Sequence, residues 1–585
     1  MRIAFACCGL LVAVYAEPAT AQGDFRHPHL RPPGKVAVAL KRVQARPLQR
    51  TASAFSGPVL NPGASEVTPA RSVPPWHWRV LRTAWTDADE KAYGEFVRRI
   101  GESKCRRVHE CLADAQSNPL YSESNPPGMR FTSDCADLPY MLRAYFAWKN
   151  GLPFSYSAAV SPLGQSDDIR YTEGGNRVSQ RRDLTGPVID ARRAIPRLVH
   201  AISSAHYRIA PAYTGTQLPD HYPVKVSPEG IKPGTIIYDP DGHLAVVYKV
   251  TREGRIHFID AHPDNSLTRG VYGRSFRRDR PALGAGFKRW RPQTLVGAKQ
   301  LPDGSYQGGR IVLAVDKDLA DWSDEQFFGT EPNPPHAWDK ARFVHDGQAL
   351  DYYEFVRLRL AEPNFKYDPL DETRFMLRTI CADIGHRVDA VNVAVKARIH
   401  LRPQPARLPD NIYGTTGDWE TYSTPSRDAR LRSSFKDLRD EVARFLDMAA
   451  TGSPRLNYTG HDIRRDLREV YLQETSACTF TYTRSNGAHK QLSLADLQRR
   501  LFRLSFDPHH CVERRWGADD AEEVASCADA ADKADWYAAE QRLRNQIDRA
   551  YFVEMSFTLP DLRRKAPGSG LDAPPDTDVM ALLGE

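Results

Sequence analysis

The chain has 585 residues, 41% hydrophobic and 26% charged, which is too long for a single core and too apolar for a disordered polymer; at about 150 residues per unit it holds three or four units. Its formal net charge of +7 is concentrated at one end: residues 22–75 carry eight Lys or Arg against two acids, residues 1–21 cancel, and only +1 remains beyond residue 75. A nearly neutral body without an aromatic and basic surface excludes a dedicated nucleic-acid binder.

Arg2 precedes an apolar run over 3–16 and the small residues Ala19-Thr20-Ala21, the pattern of a cleaved secretory signal at 1–21. The run is shorter than the roughly 20 residues a membrane-spanning helix needs, so the expected location is periplasmic or secreted, without a transmembrane anchor. Residues 22–75 are basic, Pro-rich and poor in aromatics, and are expected to form a disordered linker able to touch an anionic envelope surface. Removing the leader takes Cys7 and Cys8 and leaves Cys105, Cys111, Cys135, Cys381, Cys478, Cys511 and Cys527. An odd number in an oxidising compartment leaves one thiol unpaired. Cys105 with Cys111, Cys511 with Cys527, and Cys381 with Cys478 is one pairing among several; it isolates Cys135.

A helical stretch is predicted over 76–100, then a turn-rich loop over 118–132. A helix follows, with Ser133 or Asp134 as cap, Leu138, Met141, Leu142, Tyr145 and Phe146 on one face, and Asn150-Gly151 as its stop. Cys135 falls in its first turn. Residues 156–230 read as a polar insertion with one helix near 190–206. Short strands are predicted at 234–238, 243–250 and 255–261, joined by turns at 239–242 and 252–254, with a further apolar run at 310–315 that closes the sheet or opens the next domain. From about 351 the pattern is helical, over 352–360, 372–394, 435–450, 463–474, 492–504 and 519–550. Ser493 and Asp496 are spaced as a capping box. Residues 403–430 read as a loop, and 565–585 as a disordered tail.

The candidate chemistry rests on Cys135, His243 and Asp260. A thiol attacks as thiolate, which a helix start and a nearby imidazole both favour. Reflecting the hairpin about 252 and 253 sets His243 opposite His262, so Asp260 becomes a diagonal neighbour of His243 on one face of the sheet. This assumes that the Cys135 helix packs across that face, with first-turn amides free to bind an oxyanion. His262 is the reserve third member, and His257 has the opposite parity. His257, His262 and Asp264 have only loosely ligand-like spacing, so no metal and no cofactor is expected.

Asp134-Cys135-Ala136-Asp137-Leu138, Pro233-Gly234-Thr235-Ile236-Ile237-Tyr238 and Gly242-His243-Leu244-Ala245-Val246-Val247 together resemble the Asp-Cys-Ser-Gly and Gly-Asp … Gly-His-Val patterns of the cell-wall endopeptidases called NlpC/P60. The resemblance covers about 118–264. Ala136-Asp137 and Thr235 depart from the family pattern, and the insertion is long. It implies a papain-like core of α+β class over 76–315, followed by a mainly α-helical region over 316–564. It further implies amide cleavage in peptidoglycan stem peptides, with Tyr121 as a substrate-binding residue. The helix after Cys135 and Ile256-His257-Phe258-Ile259-Asp260-Ala261 are also similar to bacterial transglutaminase-like domains, which implies instead an enzyme that processes or crosslinks another envelope protein. The third alternative is an inactive papain-like scaffold that binds in the cell envelope.

Overall fold

A six-stranded antiparallel sheet organises the first half of the protein, in a computed structural model that describes residues 74–121, 125–166, 168–212, 215–263, 265–331, 337–414, 417–422, 425–550 and 553–584. The expected leader, nearly all of the expected linker and Asp264 lie outside the described residues. The strands are β1 (His221–Pro223), β2 (Ile236–Tyr238), β3 (Leu244–Val250), β4 (Ile256–Ala261), β5 (Leu267–Val271) and β6 (Gly286–Trp290), in the order β1-β6-β2-β3-β4-β5. The meander expected from β2 to β4 is present, and it continues into β5. The run at 310–315 neither closes this sheet nor opens a new domain: Arg310–Leu313 pairs with Gln293–Val296.

Alternation along the strands separates two apolar layers. Ile236, Tyr238, Leu244, Val246, Ile259 and Ala261 face helices α1 (Asp87–Glu102) and α2 (Asp137–Asn150). Ile237, Ala245, Val247, Phe258 and Phe287 face Phe355 and Val356 of α3 (Tyr352–Leu360) on the other side. Twelve of the fourteen α2 residues are buried, as befits a helix that is apolar nearly all round; its Arg143 is held by Glu90 and lies 3.4 Å over the Trp85 ring. Gly101 lets α1 lie against β3, since a Cβ there would stand 2.1 Å from the Tyr248 ring.

The expected helix over 76–100 begins only at Asp87. Thr86 and Asp89 close a capping box there, while Trp78, Val80 and Trp85 before it are buried from an extended segment that forms isolated bridges. The polar insertion contains a hairpin, Ser155–Pro162 with Asn176–Asp183, besides the expected helix, found at Ala191–Ala201. The boundary expected at 315/316 does not separate two cores, because Leu319, Phe343, Phe355 and Val356 share the layer behind the sheet.

The second half is helical, as expected, around α4 (Pro369–Lys396), α5 (Pro425–Ala450), α6 (Ile463–Ala477) and α7 (Val579–Leu583). Helix α5 starts ten residues earlier than predicted, at a proline in its first turn, and Gly417–Tyr422 is also helical, so much of the expected 403–430 loop is not loop. The single helix expected over 519–550 is three short ones, Ala521–Val524, Ala531–Ala539 and Gln541–Asn545: the Cys511–Cys527 disulfide and the bonds from Cys511 N to Asp529 draw the chain off one axis. The tail expected to be disordered is packed instead. Asp578 caps α7, and Val579 and Leu583 enter the same apolar cluster as α4, α5 and α6. From residue 74 onward the two halves belong to one compact unit.

Candidate active site

His243 and Asp260 come together by strand register. Val246 pairs with Ile259 and Val247 with Phe258, and a bulge at Tyr248 separates this register from the pairing nearer the turn. Extended toward the site, it sets His243 opposite His262, as the sequence predicts. Gly242, at φ 94°, completes the turn in which its N–H donates to Asp239 O and Asp239 N–H to His243 O; an L side chain is strained in that conformation. The ring of His243 then approaches Asp260, Nε2 to Oδ2, at 2.9 Å.

The Asp260 carboxylate also accepts from Thr268 Oγ1, whose oxygen is 3.0 Å from His262 Nε2. Burial alone would raise the Asp260 carboxyl, but the His243 hydrogen bond, the charges of His262 and His243, and Thr268 more than offset it, leaving the group far below the usual range. An ionised carboxylate accepts only. The proton of the pair therefore sits on His243 Nε2, and Nδ1 carries the lone pair, with no hydrogen-bond partner among the described residues. His262 serves Asp260 through Thr268 rather than replacing it. His257 points to the other face, against Tyr248 and Phe375, so the loosely spaced His257 and His262 do not converge.

Cys135 comes to the backbone beside His243 by a route different from the expected one. His243 and Asp260 share the face of Ala245, Val247 and Phe258, whereas α2 packs on the opposite face. The helix does not cross them; its N-terminus ends at the start of β3. There Cys135 Sγ lies 3.9 Å from Gly242 O and also meets the Leu244 N–H, so it touches the backbone on both sides of His243. Although regular α2 begins at Asp137, Leu138 N–H donates to Asp134 O, closing an earlier turn that contains Cys135.

Asp134 caps this turn: its Oδ1 accepts from Ala136 N at 2.8 Å and Asp137 N at 3.1 Å, and Asp137 Oδ2 accepts from Asp134 N. Two of the amides expected to serve an oxyanion are thus occupied. The Cys135 N–H has no acceptor among the described residues and is the amide left for that role. Asn265, at φ 63°, accepts from Ser133 N through Oδ1 and anchors the segment to the turn before β5, and Tyr207 O–H donates to Ala136 O.

The electrostatics favour uncharged partners at rest. Burial pushes the Cys135 thiol up, and the charges of Asp134, Asp260 and Asp137 add to it. Burial pushes His243 down, helped by Arg430 and Arg549 and opposed by Asp260. Asp137 is raised to about 9 by burial and by Asp134 beside it, so it holds a proton at neutral pH. The site therefore rests as neutral thiol and neutral imidazole, not as a thiolate–imidazolium pair.

Cys135 and His243 open into a cleft of about 920 Å³. One wall is the strand ends with Ala261, His262, Leu267 and Thr268; the other is helical, with Asp383, His386, Asp389 and Lys396 from α4 and Arg427 and Arg430 from α5. Asp383 is raised to about 6 by burial, against the pull of Arg430. Sequence reasoning missed this helical wall; the i, i+3 spacing of Asp383 and His386 was its one visible signal. Tyr121 is not among the residues lining the cleft; its N–H donates to Asn118 O in the preceding loop.

Among the described residues the cysteines pair as Cys105–Cys111, Cys381–Cys478 and Cys511–Cys527, with Cys135 free. Three disulfides suit an oxidising compartment, and among the described residues no helix is long and apolar enough to cross a membrane. No family model, curated protein or solved structure matches the chain.

Proposed function

We propose that the protein is an exported cysteine-dependent hydrolase of papain-like arrangement, with Cys135 as nucleophile, His243 as base and Asp260 as the residue that orients the base. The observation that carries this reading is the free thiol seated against the backbone of Gly242 and Leu244, on either side of His243, whose Nε2 is bound to a buried carboxylate 2.9 Å away. When an amide enters the cleft, His243 Nδ1 takes the thiol proton as sulfur attacks the carbonyl carbon. Asp260 stabilises the imidazolium, and the Cys135 N–H donates to the oxyanion. The proton then passes from Nδ1 to the departing amine and leaves a thioester. Water, deprotonated by the same nitrogen, attacks the thioester carbon; the acid departs, and the proton returns to sulfur.

The resemblance of the Cys135 and His243 segments to NlpC/P60 endopeptidases favours peptidoglycan stem peptides as substrate. The cleft is roofed by α4 and α5, whose Arg427, Arg430 and Lys396 suit a ligand bearing carboxylates. A transglutaminase-like activity on an envelope protein is the second reading, favoured by an aspartate as the third member. Mature protein incubated with peptidoglycan and, separately, with envelope proteins, beside Cys135→Ala, tests both. New amino termini in peptidoglycan, absent with the variant, are expected; crosslinked or cleaved protein would select the second reading, and equal products from both forms would remove the nucleophile.

A further inference from the structure

Far along the chain, in the helical half, Asp507, His510 and Glu540 bring one ligand atom each within 4.8 Å of one another. All three are buried: Asp507 and Glu540 are 0% exposed and His510 1%. Glu540 is the residue at which Ala531–Ala539 ends and Gln541–Asn545 begins. Among the described residues neither of its carboxylate oxygens has a hydrogen-bond partner, and neither has His510 Nε2. A bare carboxylate in a dry interior is strongly disfavoured unless a proton or a cation accompanies it.

One cation pairs loosely with Glu540 but gives it no hydrogen bond, and another is committed elsewhere. Arg544 Nη1 is 3.7 Å from Glu540 Oε2, and its guanidinium donates to Tyr537 O and Gln541 Oε1. Lys533 Nζ donates to the carbonyls of His400 and His509. Asp507, by contrast, is already oriented: Oδ1 accepts from His509 N and lies 2.9 Å from His509 Nδ1, and Oδ2 accepts from Gln404 Nε2. His510 Nδ1, 4.0 Å from Glu540 Oε2, is also 2.7 Å from Ser505 Oγ, and Nε2 is its unpartnered nitrogen among the described residues. Outer contacts of this kind fix carboxylate and imidazole ligands around a metal.

We propose that Asp507, His510 and Glu540 form a buried site for one divalent transition ion of the zinc or manganese class, which ties the 505–511 loop to the helix break at Glu540. Two carboxylates neutralise a dication, and a mixed oxygen and imidazole set suits a borderline ion better than calcium, which takes six to eight oxygens. The site is separate from the thiol chemistry, so its role is to hold the helical half in shape.

The test uses untagged full chain stripped with a chelator and re-supplied with Zn²⁺, Mn²⁺ or Ca²⁺ alone, compared with Glu540→Gln. Metal content, binding isotherms and thermal unfolding are read for both. One equivalent of Zn²⁺ or Mn²⁺ per chain, raising the unfolding temperature, is expected in the parent. In Glu540→Gln binding should weaken by more than the roughly 10–100-fold typical of an outer-contact change, with the stripped variant at least as stable as the stripped parent. Should that variant not fold, Asp507→Asn carries the same comparison. No uptake by the parent, or uptake unchanged by the substitution, would overturn the site.

Discussion

Asp260 fixes which nitrogen of His243 is basic, and this is more than a contact. Asp260→Asn is nearly isosteric but offers the imidazole an amide that no longer demands the Nε2 proton. A fall in kcat on the order of 10³–10⁴-fold with an unchanged fold is expected, measured by steady-state kinetics beside circular dichroism. Because His243 is held below its ordinary 6.5, the proposed base should stay neutral as pH falls past 6.5, and any activity that depends on it should be lost only through the lower folded value. Asp137 has the opposite sign. Its folded pKa of about 9 lies above the ordinary 3.8, so the folded state keeps a proton that the unfolded chain has released, and stability falls as pH rises through that window. Asp137→Asn should flatten the decline in melting temperature between pH 5 and 9; an identical slope in both proteins would mean that Asp137 is ionised.

At the scale of elements, the sequence already held the hairpin that joins His243 to Asp260, because strand parity and two short turns are local signals. The oddness of Cys135 among seven cysteines was equally legible. The face on which α2 packs was not, since alternation says which residues share a face but not which helix covers it. Asn265, Thr268 and Arg430 were invisible for a related reason: each matters only through partners brought together by β5 or α5, which have no sequence marker near Cys135. Tyr121 shows the converse, a motif position that does not line the cleft. The helical wall also depends on a long-range tie, Cys381–Cys478, which spans 97 residues from α4 to the end of α6. Replacing both by serine should cost about 2–5 kcal/mol of stability. The loosened α4 should raise KM more than it lowers kcat; denaturant titration and kinetics on the same sample check both.

Within the unit that begins at residue 72, the cleft is lined both by the strand ends of the sheet half and by helices of the second half. Helices α4 and α5 therefore form one side of the candidate site. The central claim, that His243 acts on the Cys135 thiol, can be tested without knowing the substrate, by mapping the rate of iodoacetamide alkylation at Cys135 across pH in the parent and in His243→Ala. A neutral resting pair predicts a rate that climbs from acid to alkaline pH without an acid plateau, and a drop of at least about tenfold at neutral pH when the imidazole is removed. Superimposable profiles for the two proteins would contradict it.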